Sequence, residues 1–222
     1  MASREIEKAR RQAKQKLKRR TPHLVVPPTI LIVCEGENTE PSYFNALKFK
    51  SATVKAVGEG YNTITLVKRA VQLAEKSSYG EVWCVFDKDD FSDFDFNQAI
   101  TLAKTKGFHI AYSNQAFEFW ILLHFNDHQG GALHRDHYNE MINQAIQPFG
   151  ASYDGNGCKI VTSELFQLMF SKDQTTNKDR IQLAIERAER IYNRLDHSFP
   201  AKEESSTTVH VLLKHLLEFQ RY

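Results

Sequence analysis

Ile30-Leu31-Ile32-Val33-Cys34 is an unbroken apolar run, too short for a core helix and suited to a strand buried on both faces. Glu35-Gly36-Glu37-Asn38 follows as a turn. Thr39-Glu40-Pro41 then places a capping residue, an acid and a proline in one first turn, which opens a helix to about Lys48. Thr53–Gly58 reads as a second strand. Asn62 caps a helix to about Ser77 whose apolar stripe is Ile64, Val67, Val71 and Ala74. Val82-Trp83-Cys84-Val85-Phe86 is another fully apolar strand, ended by Asp87-Lys88-Asp89-Asp90. A helix from about Phe96 to Lys106 stops at Gly107, and Phe108–Tyr112 makes a further strand. The order βαβαβαβ predicts an α/β fold, a parallel sheet covered by helices.

Downstream the pattern turns helical, over roughly 115–125, 135–147, 160–170, 178–195 and 207–219, with loops rich in Gly, Asp, Asn and His. At the other end, Thr21-Pro22 and Pro27-Pro28 stop any helix that residues 4–20 form. Three parts are therefore expected: an arm and linker over 1–28, an α/β core over 29–126, and a helical extension over 127–222 packed on that core.

Composition narrows the class. At 222 residues the chain is long enough for a self-sufficient core, and its 41% hydrophobic content excludes a mostly disordered chain. No apolar run approaches the roughly 20 residues that cross a bilayer. The basic start lacks the apolar stretch of a secretory signal. Cys34, Cys84 and Cys158 are widely spaced and odd in number, which points to a reducing cytoplasm.

Charge divides the chain unevenly. The net charge is only +2, yet residues 1–20 hold nine Lys/Arg and two acids, a net of +7, leaving the remaining 202 residues at −5. Arg10, Arg11, Lys14, Lys18, Arg19 and Arg20 can neutralise phosphates without reading sequence. A solubilising tail or a protein-binding helix has the same composition.

Parallel sheets gather functional groups at the carboxyl ends of their strands. Glu35 follows the first apolar strand, and Asp87 and Asp89 follow the third. In extended chain, residues two apart share a side, so Asp87 and Asp89 can converge on one hard cation while Lys88 points away. Glu35 can complete that site or act as a general base. Oxygen-only ligands favour Mg²⁺ or Mn²⁺ over zinc, and such metals suit phosphoryl transfer or phosphodiester cleavage. Carboxylates at strand ends also serve as solvated loop residues or helix caps, and that alternative stands beside the metal.

A glutamate after the first strand with an Asp-x-Asp after a later one resembles the TOPRIM domain of topoisomerases, primases and overcoming-lysogeny-type nucleases. More closely, the segment Cys34-Glu35-Gly36-Glu37-Asn38-Thr39-Glu40-Pro41-Ser42-Tyr43-Phe44 resembles the RloB-like family. So do Val85-Phe86-Asp87-Lys88-Asp89, Ser113-Asn114, Phe117-Glu118-Phe119-Trp120 and Leu122-Leu123-His124-Phe125. The likeness runs from about residue 29 to 126, with a weaker echo at Ser206-Thr207-Thr208-Val209. It implies a metal-dependent nuclease from bacterial restriction and phage-defence loci, with Mg²⁺ on Asp87 and Asp89 and Glu35 as general base or further ligand. Asp90 is an additional neighbour on the opposite face.

Glu118 lies in a segment that is apolar nearly all round, and a buried carboxylate is costly without a partner or metal. It either joins the acidic site with Asn114 or pairs structurally. Glu37 and Glu40 read as more peripheral. His124, His128, His134 and His137 give an H-x3-H pair that fits helical zinc spacing, but no cysteine lies nearby. A buried His124 with surface histidines is the simpler reading, and under the nuclease reading one of them contacts phosphate. The expected function is thus a nuclease or related phosphoryl-transfer enzyme on DNA or RNA. The alternative is a non-catalytic module that binds nucleic acid or a partner protein of a defence system.

Overall fold

A computed structural model describes residues 28–60, 62–89 and 92–219 of the chain. The basic arm, with Arg10, Arg11, Lys14, Lys18, Arg19 and Arg20, lies outside the described residues, as does Asp90. The first half alternates as the pattern requires: β1 (Thr29–Cys34), α1 (Thr39–Ala46), β2 (Thr53–Gly58), α2 (Thr63–Lys76), β3 (Glu81–Asp87), α3 (Asp93–Thr105) and β4 (His109–Asn114). There follow α4 (Glu118–Leu123), α5 (Tyr138–Ile146), α6 (Ser163–Met169), α7 (Arg180–Tyr192), β5 (Ser206–Thr207) and α8 (Val209–Glu218). Among the described residues no helix is long and apolar enough to cross a membrane.

The strands stand in the order β2-β1-β3-β4-β5. β1 pairs in parallel with β2 and β3, and β3 with β4. The βαβαβαβ core is thus parallel as expected, and a fifth strand outside it, Ser206–Thr207, runs antiparallel along β4 and makes the whole sheet mixed. Its side chains are polar and buried, so apolar patterning passes over it. Thr207 Oγ1 lies 3.0 Å from Ser113 Oγ, and Tyr112 N donates to Thr208 Oγ1 at 2.8 Å.

Alternation along the strands builds two cores. Ile30, Ile32, Cys34, Trp83, Val85 and Ala111 face one side, where α1 and all of α4 through α8 pack on them. Leu31, Val33, Val82, Cys84 and Phe86 face the other, against α2 and α3. Each fully buried aliphatic side chain contributes roughly 1.5–3 kcal/mol, so the two cores lock β1 and β3 at the centre of the sheet.

Two helices differ in detail from the pattern. The buried face of α2 is Thr63, Leu66, Val67 and Ala70, while Ile64, Val71 and Ala74 are half-buried at its flank. The stripe is rotated because α2 also leans on α3. That helix begins three residues before Phe96, since the Ser92 side chain accepts the Asp95 N–H and caps an acidic first turn. A start marked by the first buried apolar residue misses an exposed turn, Asp93-Phe94-Asp95.

Candidate functional site

The crossovers leaving β1 and β2 run in opposite directions, so the crevice beyond β1 and β3 is the topological switch point of the sheet. Backbone pairing carries past the strand ends there. Glu35 N donates to Val85 O at 2.9 Å and Lys88 N to Ser113 O at 2.8 Å, which fixes the acids on rigid chain. Glu35 Oε2 accepts the Asp87 N–H at 3.2 Å. Asp87 Oδ2 accepts the Phe117 N–H at 3.2 Å, whereas its Oδ1 is shut off from solvent with no hydrogen-bond partner.

Glu40 projects from the first turn of α1 back over the turn before it. Its Oε1 accepts the Gly36 N–H at 3.0 Å. A Cβ on Gly36 would lie 2.2 Å from Glu40 Oε2, and one on Gly58 would lie 2.4 Å from Gly36 O. Backbone excludes a side chain at Gly58, whereas one at Gly36 would displace the Glu40 carboxylate, and the Glu35–Glu37 turn is seated against the end of β2. Glu40, a possible site residue from its place in the family-like segment although it reads as more peripheral than Glu35, is only 3% exposed and lines the cavity.

Glu118 opens α4 and faces the same cavity, held by the Tyr153 hydroxyl, which donates to its Oε1 at 2.7 Å. Tyr153 Oη also lies 3.2 Å from Thr39 Oγ1, and Thr39 Oγ1 donates to Lys159 O at 2.8 Å. These bonds tie the 153–161 loop to α1. From the other side, Arg135 reaches Asp89 Oδ2 at 3.3 Å, its backbone N–H held by Gln115 Oε1 at 3.0 Å.

Together these groups line a cavity of about 400 Å³ with Glu35, Glu37, Glu40, Asp87, Asp89 and Glu118 on its walls, against the cations Arg135 and Lys159. Crowding like charges in a desolvated space disfavours ionisation. Burial first, then the Asp89 and Glu40 charges, push Glu35 up to about 8. Burial and Glu118 push Glu40 up to about 7. Asp87 is raised well above the usual carboxylate range by burial and by Glu40, Glu118 and Glu35. Perturbed groups converging in one cleft mark a functional site more often than a structural one.

The structure thus brings Glu35, Asp87, Asp89, Glu40 and Glu118 to one cavity. It does not bring Asn114 or His124 there. Asn114 is buried and donates to Ala201 O at 3.2 Å beside β5. His124 is a core residue: its Nδ1 bonds Trp120 O at 2.9 Å, and burial lowers its pKa to about 3. His134 lies at the surface 3.2 Å from Asp136, and His128 bonds Gly131 O at 2.9 Å. Lys88 turns aside to Asp93, 3.3 Å away. Arg135, Tyr153 and Lys159 went unread in the sequence: no local motif marks Arg135 at the start of a helical segment, nor Tyr153 and Lys159 in the loop after it.

The donor chemistry fits a hard divalent cation: oxygen ligands only, one of them an orphaned buried carboxylate oxygen. The spacing is more open than a finished site. Among the described residues, no three His, Cys, Asp or Glu side chains stand together as a metal-holding group.

Residues 30–216 match the family model described as RloB-like protein. Comparison with curated proteins and with solved structures finds no match.

Proposed function

This chain belongs to the RloB-like protein family, and we propose that it is a metal-dependent nuclease or related phosphoryl-transfer enzyme acting on nucleic acid in a bacterial defence setting. The observation that carries this reading is the Asp87 carboxylate, whose Oδ1 is buried without a partner among further acids at the switch point. A carboxylate buried there stays protonated until a cation arrives to offset its charge.

Asp87 and Glu35 would hold Mg²⁺ or Mn²⁺, with Asp89 joining once Arg135 releases it. A bound divalent cation supplies Lewis acidity toward a phosphodiester. Once Asp89 has joined Asp87 on the cation, Glu35 would instead be free to act as the general base that takes a proton from the attacking water. Glu40 holds the Glu35–Glu37 turn in place through Gly36, and Tyr153 orients Glu118. The TOPRIM-like assignment and the cytoplasmic location belong to the same proposal.

The rival reading, a non-catalytic module that binds nucleic acid or a partner protein, draws on the Arg135–Asp89 ion pair. That pair occupies a carboxylate which the enzyme reading gives to the cation. Purified protein with Mg²⁺ or Mn²⁺ on a panel of DNA, RNA and tRNA decides between them, beside Asp87→Asn. Cleavage that Asp87→Asn abolishes supports the enzyme. Cleavage that survives in the variant removes Asp87 from the reaction and overturns this site assignment, and no cleavage of any substrate by a protein that still binds nucleic acid supports the module.

A further inference from the structure

A second, smaller cavity of about 190 Å³ adjoins the acidic one and shares Glu118, Arg135 and Lys159 with it. Its remaining wall is mostly polar, with Tyr138, Asn139 and Asn156 beside one further carboxylate, Asp136. Both cations therefore stand on the edge between two spaces, a placement suited to a ligand that spans them.

Each is held there by its backbone. Lys159 takes a left-handed conformation, φ +52°, which a non-glycine residue adopts at a cost. Its N–H donates to Asp154 O at 2.9 Å and its carbonyl accepts from Thr39, so the loop enforces the geometry. Among the described residues the Lys159 ammonium forms no ion pair, although it faces the acidic cavity. Arg135 does have a partner, at 3.3 Å from Asp89 and 30% exposed, and the guanidinium offers five donors in a fork that matches phosphate as well as carboxylate. Six carboxylates against two cations repel an anion, so phosphate can enter only after a divalent cation has offset the acids.

We propose that Arg135 and Lys159 form the phosphate-binding edge of this cavity, and that Arg135 passes from Asp89 to the substrate phosphate when a divalent cation takes Asp89. This rests on the metal-site reading above. Before the cation arrives, Arg135 is its stand-in and its competitor.

The two roles give opposite signs in binding experiments that need no turnover. The full chain is titrated with Mn²⁺ by electron paramagnetic resonance, and with thymidine 5′-monophosphate by calorimetry in excess Mn²⁺. Lys159→Gln is expected to weaken nucleotide binding about fivefold or more and leave Mn²⁺ affinity alone. Arg135→Gln is expected to weaken nucleotide binding similarly while tightening Mn²⁺ by about threefold, because a competitor for Asp89 is gone. An unchanged thermal midpoint shows that both variants are folded. Nucleotide affinity that is unmeasurable in the parent protein, or retained in either variant, overturns the phosphate edge. Weaker Mn²⁺ binding in Arg135→Gln overturns the handover and makes Arg135 a support for Asp89. A parent protein that binds no Mn²⁺ removes the metal reading itself, which is a separate failure.

Discussion

Glu35 Oε2 accepts the backbone N–H of Asp87 at 3.2 Å, 52 residues away along the chain. This one bond joins the ends of two neighbouring strands across the switch point. The bond itself favours ionised Glu35, yet burial outweighs it and keeps the pKa of both carboxyls raised.

The sign of the resulting pH dependence follows from the raised Glu35 pKa. Unfolded, Glu35 titrates near 4.5; folded and metal-free, near 8. Its contribution to stability is complete below pH 4.5 and is lost as pH rises through 8. Glu40, raised to about 7, acts in the same direction. In chelator, the thermal midpoint should fall by roughly 3–8 °C between pH 5.5 and 8.5, since each kcal/mol is worth about 2–4 °C in a chain of this size. Glu35→Gln should flatten the fall. Mn²⁺ should stabilise more at the higher pH, because ligands must shed their protons to bind it. A midpoint that rises with pH in chelator contradicts the assignment.

Gly36→Ala tests the close approach of Glu40. The new Cβ would sit 2.2 Å from Glu40 Oε2, so the carboxylate must leave and the bond to the Gly36 N–H is lost. The expected cost is about 1–3 kcal/mol with a large loss of Mn²⁺ affinity. Gly107→Ala is the control: its φ is +73° but nothing lies within 4 Å, so it should cost about 1 kcal/mol and leave Mn²⁺ binding unchanged. Equal effects of the two on Mn²⁺ would show that Glu40 is not part of the site.

Tyr153→Phe removes only a hydroxyl. That hydroxyl bonds Glu118 at 2.7 Å and lies 3.2 Å from Thr39 Oγ1. Denaturant unfolding should show a loss of about 1–2 kcal/mol. Mn²⁺ affinity should drop a few-fold if Glu118 needs this anchor, and a variant that loses stability alone would limit Tyr153 to holding the loop.

Deletion of residues 1–20 removes a net charge of +7. Affinity for nucleic acid and the steepness of its salt dependence should both decrease, while the thermal midpoint stays put. Binding that keeps the same salt slope after the deletion would rule the arm out as the phosphate contact.

The sequence by itself determined the centre of this protein. Ile30–Cys34 and Val82–Phe86 are apolar without interruption, which only a strand covered on both faces satisfies, and Glu35, Asp87 and Asp89 are placed by being the next polar residues. Local order alone carries that information. Tertiary structure decided the rest. Glu40 turns inward only because Gly36 and Gly58 leave room for the turn beneath it. Ser206–Thr207 becomes a strand by pairing with β4, although nothing apolar marks it. Arg135 comes to the cavity from the 3-10 turn that leads into α5 and Lys159 from the loop after α5, positions that no local motif marks and that packing sets. The raised Glu35, Glu40 and Asp87 pKa values arise the same way. Desolvation and like-charge repulsion sum over neighbours in space, and the acids concerned come from three separate segments, 35–40, 87–89 and the start of α4.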